Sequence, residues 1–338
     1  MTADSASVPV GVIGCGKMGR LHARVCAQTA GVKLVGVHDV SPGAAAGVAG
    51  QHGTRAFADL DELLGQVKAA IIAAPTTSHL EIAGRCLRRG IACLIEKPLA
   101  GDAESARQIV QWSKEHQTPV QVGHIERFNP AVRAMANLKI QPRFIEVTRV
   151  SPLTFRGIDV GVVLDMMIHD IDIVLQLAAS PVARVDAVGV GVIDDRVEDI
   201  CNARLSFENG CVANLTASRL ALKTERKLRV FSPDAYLSLD YQKKYAMVAR
   251  RGENLQAIRD AVAKIKAGQI NDLSQLHFAD LVNVEELQID DVEPLRAQLE
   301  SFIQCLSTGK APLVSAADGL AAVETARQIV AAMHPQTL

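Results

Sequence analysis

Apolar and polar residues follow two different periods along the first third of the chain. Short apolar runs without polar alternation predict buried strands, and the stretches between them have the longer period of a helix. The predicted strands are VPVGVIG, VKLVGVHDV, AAIIAAP, IACLIEKP and PVQVG. The predicted helices cover residues 17–29, 80–89 and 103–116. Strands that alternate with helices in this way predict a parallel sheet covered by helices.

After Gly123 the pattern changes to strands in succession. A helix is predicted from Pro130, followed by the strand RFIEVTRV and a helical region over about residues 160–178. The next strand candidates are RVDAVGVGV, DICNARLSF, CVANLTASR, RKLRVFS, AYLSLD and YAMVAR. Strands without intervening helices predict an antiparallel sheet, and Glu208-Asn209-Gly210 predicts a tight hairpin between two of them.

The rest of the chain completes a two-domain α/β protein. The polar residues 251–291 predict a loop with short helices, and two helices are predicted near residues 294–308 and 316–333. We therefore expect a Rossmann domain with a parallel sheet over residues 1–123. Residues 124–338 are expected to form a substrate-binding and oligomerisation domain with a mostly antiparallel open sheet.

Composition narrows the class of protein. With 338 residues, 49% hydrophobic and 22% charged, the chain has the make-up of a globular protein, and its net charge of −1 argues against nucleic-acid and membrane partners. The start, MTADSAS, lacks the features of a signal peptide, and no apolar run is long enough for a membrane helix. The seven cysteines include no CxxC pair, which favours buried reduced thiols and a cytoplasmic location.

A glycine motif follows the first predicted strand. Gly14, Gly16 and Gly19 fit G-x-G-x-x-G, and Asp39 comes 20 residues later, at the end of the second predicted strand. These glycines permit a tight turn, a close approach of the backbone to a pyrophosphate, and close helix–strand packing. Asp39 can accept hydrogen bonds from ribose hydroxyls and would repel a 2′-phosphate. The motif therefore predicts NAD, and not NADP, as the cofactor.

Chemistry-bearing residues follow two more of the parallel strands, and a further set lies in a helix of the second domain. The segments are Ala74-Pro75-Thr76-Thr77-Ser78-His79, Glu96-Lys97-Pro98 and Asp165-Met166-Met167-Ile168-His169-Asp170-Ile171-Asp172. The carboxyl ends of parallel strands are where ligands bind in such sheets.

Three of these residues suit the oxidation of an alcohol. A histidine side chain ordinarily titrates near neutral pH, which suits His169 to the role of general base, and Lys97 can stabilise a developing alkoxide. Asp165 lies four residues before His169, on the same helix face, and is expected to orient the His169 ring. Which of Lys97 and His169 is the base stays open. No His, Cys and Asp cluster has metal-ligand spacing, so no metal is expected.

Together, these segments and the glycine loop resemble the Gfo/Idh/MocA oxidoreductase family over nearly the whole chain. The resemblance implies the same lysine, aspartate and histidine set for catalysis. The cofactor contacts we expect are Gly14, Gly16, Lys17, Met18, Gly19, Asp39, Pro75, Thr76, His79, Glu96 and Lys97. The expected substrate contacts are Lys97, Arg127, Asn129, Asp165, His169 and Asp172.

Within that family, residues 123–130, residues 168–172 and the C-terminal segments are similar to members that act as UDP-N-acetylglucosamine 3-dehydrogenases. This likeness implies oxidation of the 3-hydroxyl of that nucleotide sugar, or a related one, to a ketone. The alternatives are an inositol, polyol or free-sugar dehydrogenase, and a regulator that binds NAD without turnover. A homodimer or homotetramer is also expected, because apolar residues in CVANLTASR and AYLSLD are predicted to lie on an outer sheet face.

Overall fold

The computed structural model describes residues 7–136, 138, 140–154, 160–251, 255–269 and 282–335, so most of the predicted N-terminal tail lies outside the described residues. The strands are β1 (Val8–Ile13), β2 (Val32–His38), β3 (Arg55–Phe57), β4 (Ala69–Ile72), β5 (Ala92–Glu96), β6 (Val120–Gly123), β7 (Phe144–Val150), β8 (Val182–Val190), β9 (Ile200–Phe207), β10 (Val212–Ser218), β11 (Glu225–Phe231), β12 (Ala235–Asp240), β13 (Tyr245–Arg251), β14 (Val282–Glu286) and β15 (Met333–Pro335).

The α-helices in the same residues are α1 (Lys17–Gln28), α2 (Pro42–His52), α3 (Leu60–Leu64), α4 (His79–Leu87), α5 (Ala103–Glu115), α6 (Pro130–Met135), α7 (Ile168–Ala178), α8 (Leu255–Lys266), α9 (Pro294–Thr308) and α10 (Ala316–Ala332). A π-helical turn, Val163–Met167, leads directly into α7.

Contacts divide the chain into two units. The first contains residues 1–129, 159–173 and 292–332, and the second contains residues 130–158, 174–291 and 333–338. This division differs from the predicted boundary at Gly123, because the start of α7 and both C-terminal helices pack with the first unit. The functional assignment of the two predicted domains stays a prediction.

The first unit is built on a parallel six-stranded sheet with the order β3-β2-β1-β4-β5-β6. Every residue of β4 and β5 is buried, as expected for apolar strands covered on both faces. Leu94 of β5 packs in one core with Cys26 of α1 and Phe302 of α9. Glu96 lies two residues after Leu94 on β5, so both side chains point to the same face of the sheet, the one covered by α1 and α9. Their partners on β6, Gly123 and Gln121, lie on that face too.

The second unit contains a nine-stranded sheet with the order β14-β13-β12-β11-β7-β10-β9-β8-β15. Its pairs are antiparallel except for β7 with β10 and β8 with β15. The structure therefore confirms the predicted fold class, a parallel Rossmann sheet and a mostly antiparallel second sheet.

Several elements differ from the sequence-based expectation. The chain between β2 and β4 folds into α2, β3 and α3, which the hydrophobic pattern did not predict, because α2 is rich in alanine and glycine and β3 has three residues. Residues 251–291, expected to be loop with short helices, contain α8 and also β14, which pairs with β13. The last predicted helix ends at Ala332, and β15 follows it.

The argument for an outer apolar sheet face was wrong for the two strands on which it rested. Ala213, Leu215 and Ala217 of β10 are buried, and so are Leu237 and Leu239 of β12. The alternate positions of these strands, apart from the buried Ser218, are partly exposed and include polar residues. The apolar residues of both strands thus belong to the core of their own unit, since side chains alternate between the two faces of a strand.

The predicted state of the cysteines is confirmed, because all seven are buried and free of disulfides. Burial raises the pKa of the Cys15 thiol to about 11, with Asp39 acting in the same direction. None of the helices in the described ranges is long and apolar enough to span a bilayer.

Candidate active site at the carboxyl edge of the parallel sheet

The loop between β1 and α1 is shaped for close contact with a phosphate. Gly14 has φ of +93°, and a Cβ there would lie 2.6 Å from the backbone of Ala73. A Cβ on Gly19 would lie 1.7 Å from the carbonyl oxygen of Gly14. At Gly16, by contrast, a Cβ would meet nothing within 4 Å. The three glycines therefore serve the turn, the helix–strand packing and an open approach to the backbone, as predicted from their spacing.

The start of α1 presents its N–H groups to this open space. Gly16 is the N-cap, and no side chain in the described part of the chain caps the helix there. Lys17 and Met18 are the first residues of the helix, and Lys17 is exposed. Uncapped N–H groups and the positive end of the helix dipole favour an anion such as a pyrophosphate.

Asp39 lies beside the glycine loop, immediately after β2. Its Oδ2 accepts a hydrogen bond from Cys15 N at 2.6 Å, and its Oδ1 accepts one from Ser41 N at 2.8 Å. Each carboxylate oxygen can accept a second hydrogen bond. The side chain is partly exposed, and the neighbouring Val40 is 96% exposed. This arrangement suits a ribose diol hydrogen-bonded to Asp39, with the attached base near the apolar side chain of Val40.

The loop after β4 contains three predicted cofactor contacts, of which one is turned inward. Pro75 is exposed and Thr76 is partly exposed at the start of a short 3₁₀ turn. His79 is 1% exposed, and its Nε2 and Nδ1 each lie 3.0 Å from a carbonyl oxygen, of Ala74 and Pro98 respectively. Burial lowers the pKa of His79. His79 therefore joins the loop after β4 to the segment after β5, and its expected contact with the cofactor stays a prediction.

Lys97 follows β5 and contacts Asp165. Its Nζ donates to the carbonyl oxygen of Asp165 at 2.6 Å and to the carboxylate Oδ1 at 3.2 Å. The Lys97 side chain is 19% exposed and that of Asp165 is 43% exposed, so the pair is open to ligand. An ammonium group has three donors, and these two bonds leave one for a substrate oxygen.

The π-helical turn explains why Asp165 serves Lys97. Ile168 N bonds to Val163 O, five residues back, which widens the helix at this point. The sequence-based expectation was that Asp165 orients His169 from four residues away on a regular α-helix. In the structure the carboxylate and the carbonyl of Asp165 both contact Lys97, and His169 is a partly exposed residue in the first turn of α7.

Arg127 and Asp172, both predicted substrate contacts, bind each other. Arg127 Nε donates to Asp172 Oδ2 at 2.6 Å, and Arg127 Nη2 donates to Oδ1 at 3.0 Å. Their side chains are 7% and 1% exposed. The pair joins the 3₁₀ turn after β6 to α7, and the expected contact of both residues with substrate stays a prediction. Asn129 is partly exposed and donates to Glu126 Oε2 at 3.0 Å.

The structure adds two histidines that the sequence reasoning missed. His22 of α1 is buried and its Nε2 donates to Glu96 Oε1 at 2.7 Å, so the helix of the glycine loop is joined to the residue before Lys97. His124 is buried between β6 and the following 3₁₀ turn. His22 could have been found from its position three residues after Gly19, on the inward face of α1. His124 carries no comparable signal.

Among the described residues, no group of three or more His, Cys, Asp or Glu side chains could hold a metal ion. The candidate site consists of the glycine loop, Asp39, and the Lys97, Asp165 and His169 cluster. All of these residues lie in the first unit.

Comparison with known proteins agrees with this geometry. Residues 8–124 match the family described as "Oxidoreductase family, NAD-binding Rossmann fold", and residues 149–237 match the "GFO/IDH/MocA C-terminal domain". The chain is 37% identical to a UDP-N-acetylglucosamine 3-dehydrogenase of Acidithiobacillus ferrooxidans, over 72% of this chain and 77% of the relative.

Two further matches extend over nearly the full length. An inositol 2-dehydrogenase of Rhizobium meliloti is 26% identical over 95% of both chains. A solved structure of the UDP-N-acetylglucosamine 3-dehydrogenase GnnA from Acidithiobacillus ferrooxidans superposes with a TM-score of 0.86 at 30% identity, covering 97% of each chain.

Proposed function

The chain belongs to the Gfo/Idh/MocA family of NAD-dependent oxidoreductases, and we propose that it oxidises the 3-hydroxyl of UDP-N-acetylglucosamine, or of a related nucleotide sugar, to a ketone. The observation that carries the chemistry is the contact of Lys97 with Asp165 at the carboxyl edge of a Rossmann sheet, with His169 on the adjoining helix. The substrate rests on the similarity to the Acidithiobacillus ferrooxidans enzyme.

The residues present fit NAD. The open backbone at Gly16 and the uncapped start of α1 accept the pyrophosphate, and Asp39 accepts the adenosine ribose hydroxyls. Glu96 ends β5, the strand next to β4, and Lys97 follows it, near the nicotinamide end of such a site. When bound, NAD supplies the hydride acceptor.

In this mechanism His169 removes the proton of the reacting hydroxyl, and the hydride leaves from the carbon that bears this hydroxyl. Lys97 donates its third N–H to the oxygen, which gains negative charge as the proton departs. Asp165 holds the ammonium group through two acceptor atoms and so fixes its direction. Lys97 is the alternative base. The pH profiles of hydride transfer in Lys97→Ala and in His169→Ala should separate the two assignments.

The direct test mixes the protein with NAD and a substrate panel and follows NADH absorbance. UDP-N-acetylglucosamine should give turnover, with a 3-keto product identified by mass spectrometry after borodeuteride reduction. UDP-glucose and N-acetylglucosamine serve as matched controls that lack the N-acetyl group or the nucleotide. If neither UDP-N-acetylglucosamine nor a related nucleotide sugar is turned over, the proposed substrate is contradicted.

A second candidate activity is inositol or polyol oxidation. It is favoured by the similarity to the Rhizobium meliloti inositol 2-dehydrogenase, which spans 95% of both chains. Turnover with myo-inositol in preference to the nucleotide sugar would select it. NAD binding without turnover on any member of the panel would indicate a regulator that has lost catalysis.

We also propose that the protein is a homodimer or homotetramer. The support is a group of aromatic side chains on the partly exposed face of the second sheet. Phe231 is 38% exposed, and its ring centroid lies 5.6 Å from that of Phe144 and 4.9 Å from that of Tyr236. Large partly exposed apolar groups of this kind are typical of subunit interfaces. Light scattering should show an oligomer that Phe231→Glu dissociates, and a monomeric unmutated protein contradicts the proposal.

A further inference from the structure

Glu96 is a buried carboxylate whose two oxygens have different surroundings. Oε1 accepts a hydrogen bond of 2.7 Å from Nε2 of His22, which is fully buried on α1. Oε2 has no hydrogen-bond partner in the described part of the chain and, unlike His22 Nδ1, it is not closed to solvent. The Glu96 side chain as a whole is 11% exposed. Oε2 is therefore the carboxylate oxygen that a ligand can reach.

This open oxygen belongs to the carboxyl edge of the parallel sheet. Glu96 is the last residue of β5, immediately before Lys97, and its neighbour on β6 is Gly123. A Cβ on Gly123 would lie 2.9 Å from Glu96 Cα and 3.1 Å from Glu96 Oε2, so the absence of a side chain there leaves space for the carboxylate. In Rossmann sheets this edge receives the dinucleotide.

The contact with His22 preserves the negative charge of Glu96. A carboxylate can only accept a hydrogen bond, so the imidazole proton is on Nε2. His22 Nδ1 is buried without a partner among the described residues, so a second proton on the ring would find no acceptor. Two apolar side chains could fill this space without the cost of burying a charge. The buried carboxylate therefore calls for a functional explanation.

We propose that His22 is a positioning residue that holds the Glu96 carboxylate in its charged form, with Oε2 free for the nicotinamide end of the cofactor site. NAD carries a positive charge on its nicotinamide ring, and NADH does not. A fixed carboxylate at this end favours the oxidised form through charge attraction. The pair thus selects the form that accepts the hydride and favours release of the reduced form. The proposal rests on the NAD site of the proposed function.

Calorimetric titration with NAD, NADH and ADP-ribose tests this role without turnover. In His22→Phe the affinity for NAD should fall about tenfold, as expected for a lost hydrogen bond to a charged group. The affinity for NADH should change much less, and that for ADP-ribose, which lacks the nicotinamide, should stay the same. His22→Gln keeps a side-chain donor and should restore most of the NAD affinity. His116→Phe, at an exposed site, is the matched control.

A double-mutant cycle shows whether His22 acts through Glu96. Glu96→Gln removes the charge with little change in volume, and should by itself lower the ratio of NAD to NADH affinity about tenfold. Adding His22→Phe to Glu96→Gln should change this ratio little further, because the group that His22 holds is already neutral. If His22→Phe does not fold, His22→Leu, which also lacks a donor, takes its place in both experiments.

Equal losses of affinity for NAD, NADH and ADP-ribose in the His22 variant would mean that the histidine only holds α1 in place, and would overturn the proposal. An unchanged ratio of NAD to NADH affinity in Glu96→Gln overturns it as well. Both outcomes are separate from a failure of the proposed function. Absence of turnover on every sugar would reject the activity, while the titrations would still decide whether His22 and Glu96 act on the cofactor.

Discussion

Two cation–carboxylate pairs sit on the same helical segment, seven residues apart, and they differ in almost every physical property. Asp172 holds Arg127 through two short parallel bonds in a site that is nearly closed to solvent. Asp165 holds Lys97 in a partly exposed site, through one carboxylate oxygen and its own backbone carbonyl. In the first pair the two charged groups bind only each other in the contacts given above, whereas in the second Lys97 Nζ keeps one N–H donor for a ligand.

The difference shows how one segment can combine scaffold and chemistry. A planar guanidinium forms two parallel hydrogen bonds with a carboxylate. When both groups are buried, neither is accessible to another partner. An ammonium on a flexible stem can be held by two acceptors and still donate to a third. The regular helix α7 carries Asp172, the partner of Arg127, and the widened π turn before it carries Asp165, the partner of Lys97.

Removing the reactive cation should have the largest effect. Lys97→Met should lower kcat about 10²–10³-fold, because the developing oxyanion loses its donor. The unfolding temperature should stay near that of the unmutated protein, since the pair is partly exposed. Stopped-flow kinetics measure hydride transfer, thermal denaturation measures the unfolding temperature, and calorimetric titration checks that NAD still binds. Lys33→Met, at an exposed lysine, is the matched control, and equal kcat in both variants would remove Lys97 from the mechanism.

Breaking the buried pair should act on stability. Arg127→Ala should lower the free energy of unfolding by about 3–5 kcal/mol, because Asp172 is left charged and buried without its partner. The double variant Arg127→Met with Asp172→Leu removes both charges and should regain much of the loss. Urea denaturation of the single and double variants measures the coupling. A stable Arg127→Ala protein with a raised KM would instead return Arg127 to the substrate site.

Cofactor affinity tests the other acid of the site. Asp39→Ala should weaken NAD binding about tenfold or more, as expected for lost hydrogen bonds to a charged group. Part of this loss comes through the glycine loop, because Asp39 also accepts from Cys15 N. The preference for NAD over NADP should narrow, since the repulsion of a 2′-phosphate is removed. Tighter binding of NADP than NAD by the unmutated protein would contradict this role of Asp39.

The parts of the molecule that could be predicted from the sequence are those where one local rule decides the structure. Buried apolar runs predicted β4 and β5, and the glycine spacing with Asp39 predicted a loop in which Gly14 has positive φ and Asp39 bonds to Cys15. Successive strands predicted the second sheet. In each case neighbouring residues alone carry the information.

What could not be predicted depends on departures from regular spacing or on distant packing. The i, i+4 rule linked Asp165 to His169, but the π turn places the carboxylate on Lys97, 68 residues earlier in the chain. Arg127 and Asp172 meet across 45 residues, so their pairing has no local signature. The faces of β10 and β12 were assigned wrongly, because the pattern of a strand shows which residues share a face and not which face is covered.

The smallest predicted effect separates the two roles assigned to Asp165. If its carboxylate held the His169 ring and stabilised the imidazolium, as an acid does behind a catalytic histidine, Asp165→Asn would lower kcat about 10⁴-fold. In the structure the carboxylate supplies one contact of 3.2 Å to Lys97 in a partly exposed pair, and the backbone carbonyl supplies the shorter contact of 2.6 Å.

Because the carbonyl contact survives the substitution, Asp165→Asn should lose the value of an exposed ion pair, at most about 1 kcal/mol, or a two- to fivefold fall in kcat. Asp165→Leu, which removes the polar side chain and keeps the carbonyl, should behave similarly. Pre-steady-state hydride transfer with the nucleotide sugar measures both variants. A fall of several thousandfold in Asp165→Asn would mean that the carboxylate acts on His169 during turnover, and that its position on Lys97 changes when substrate binds.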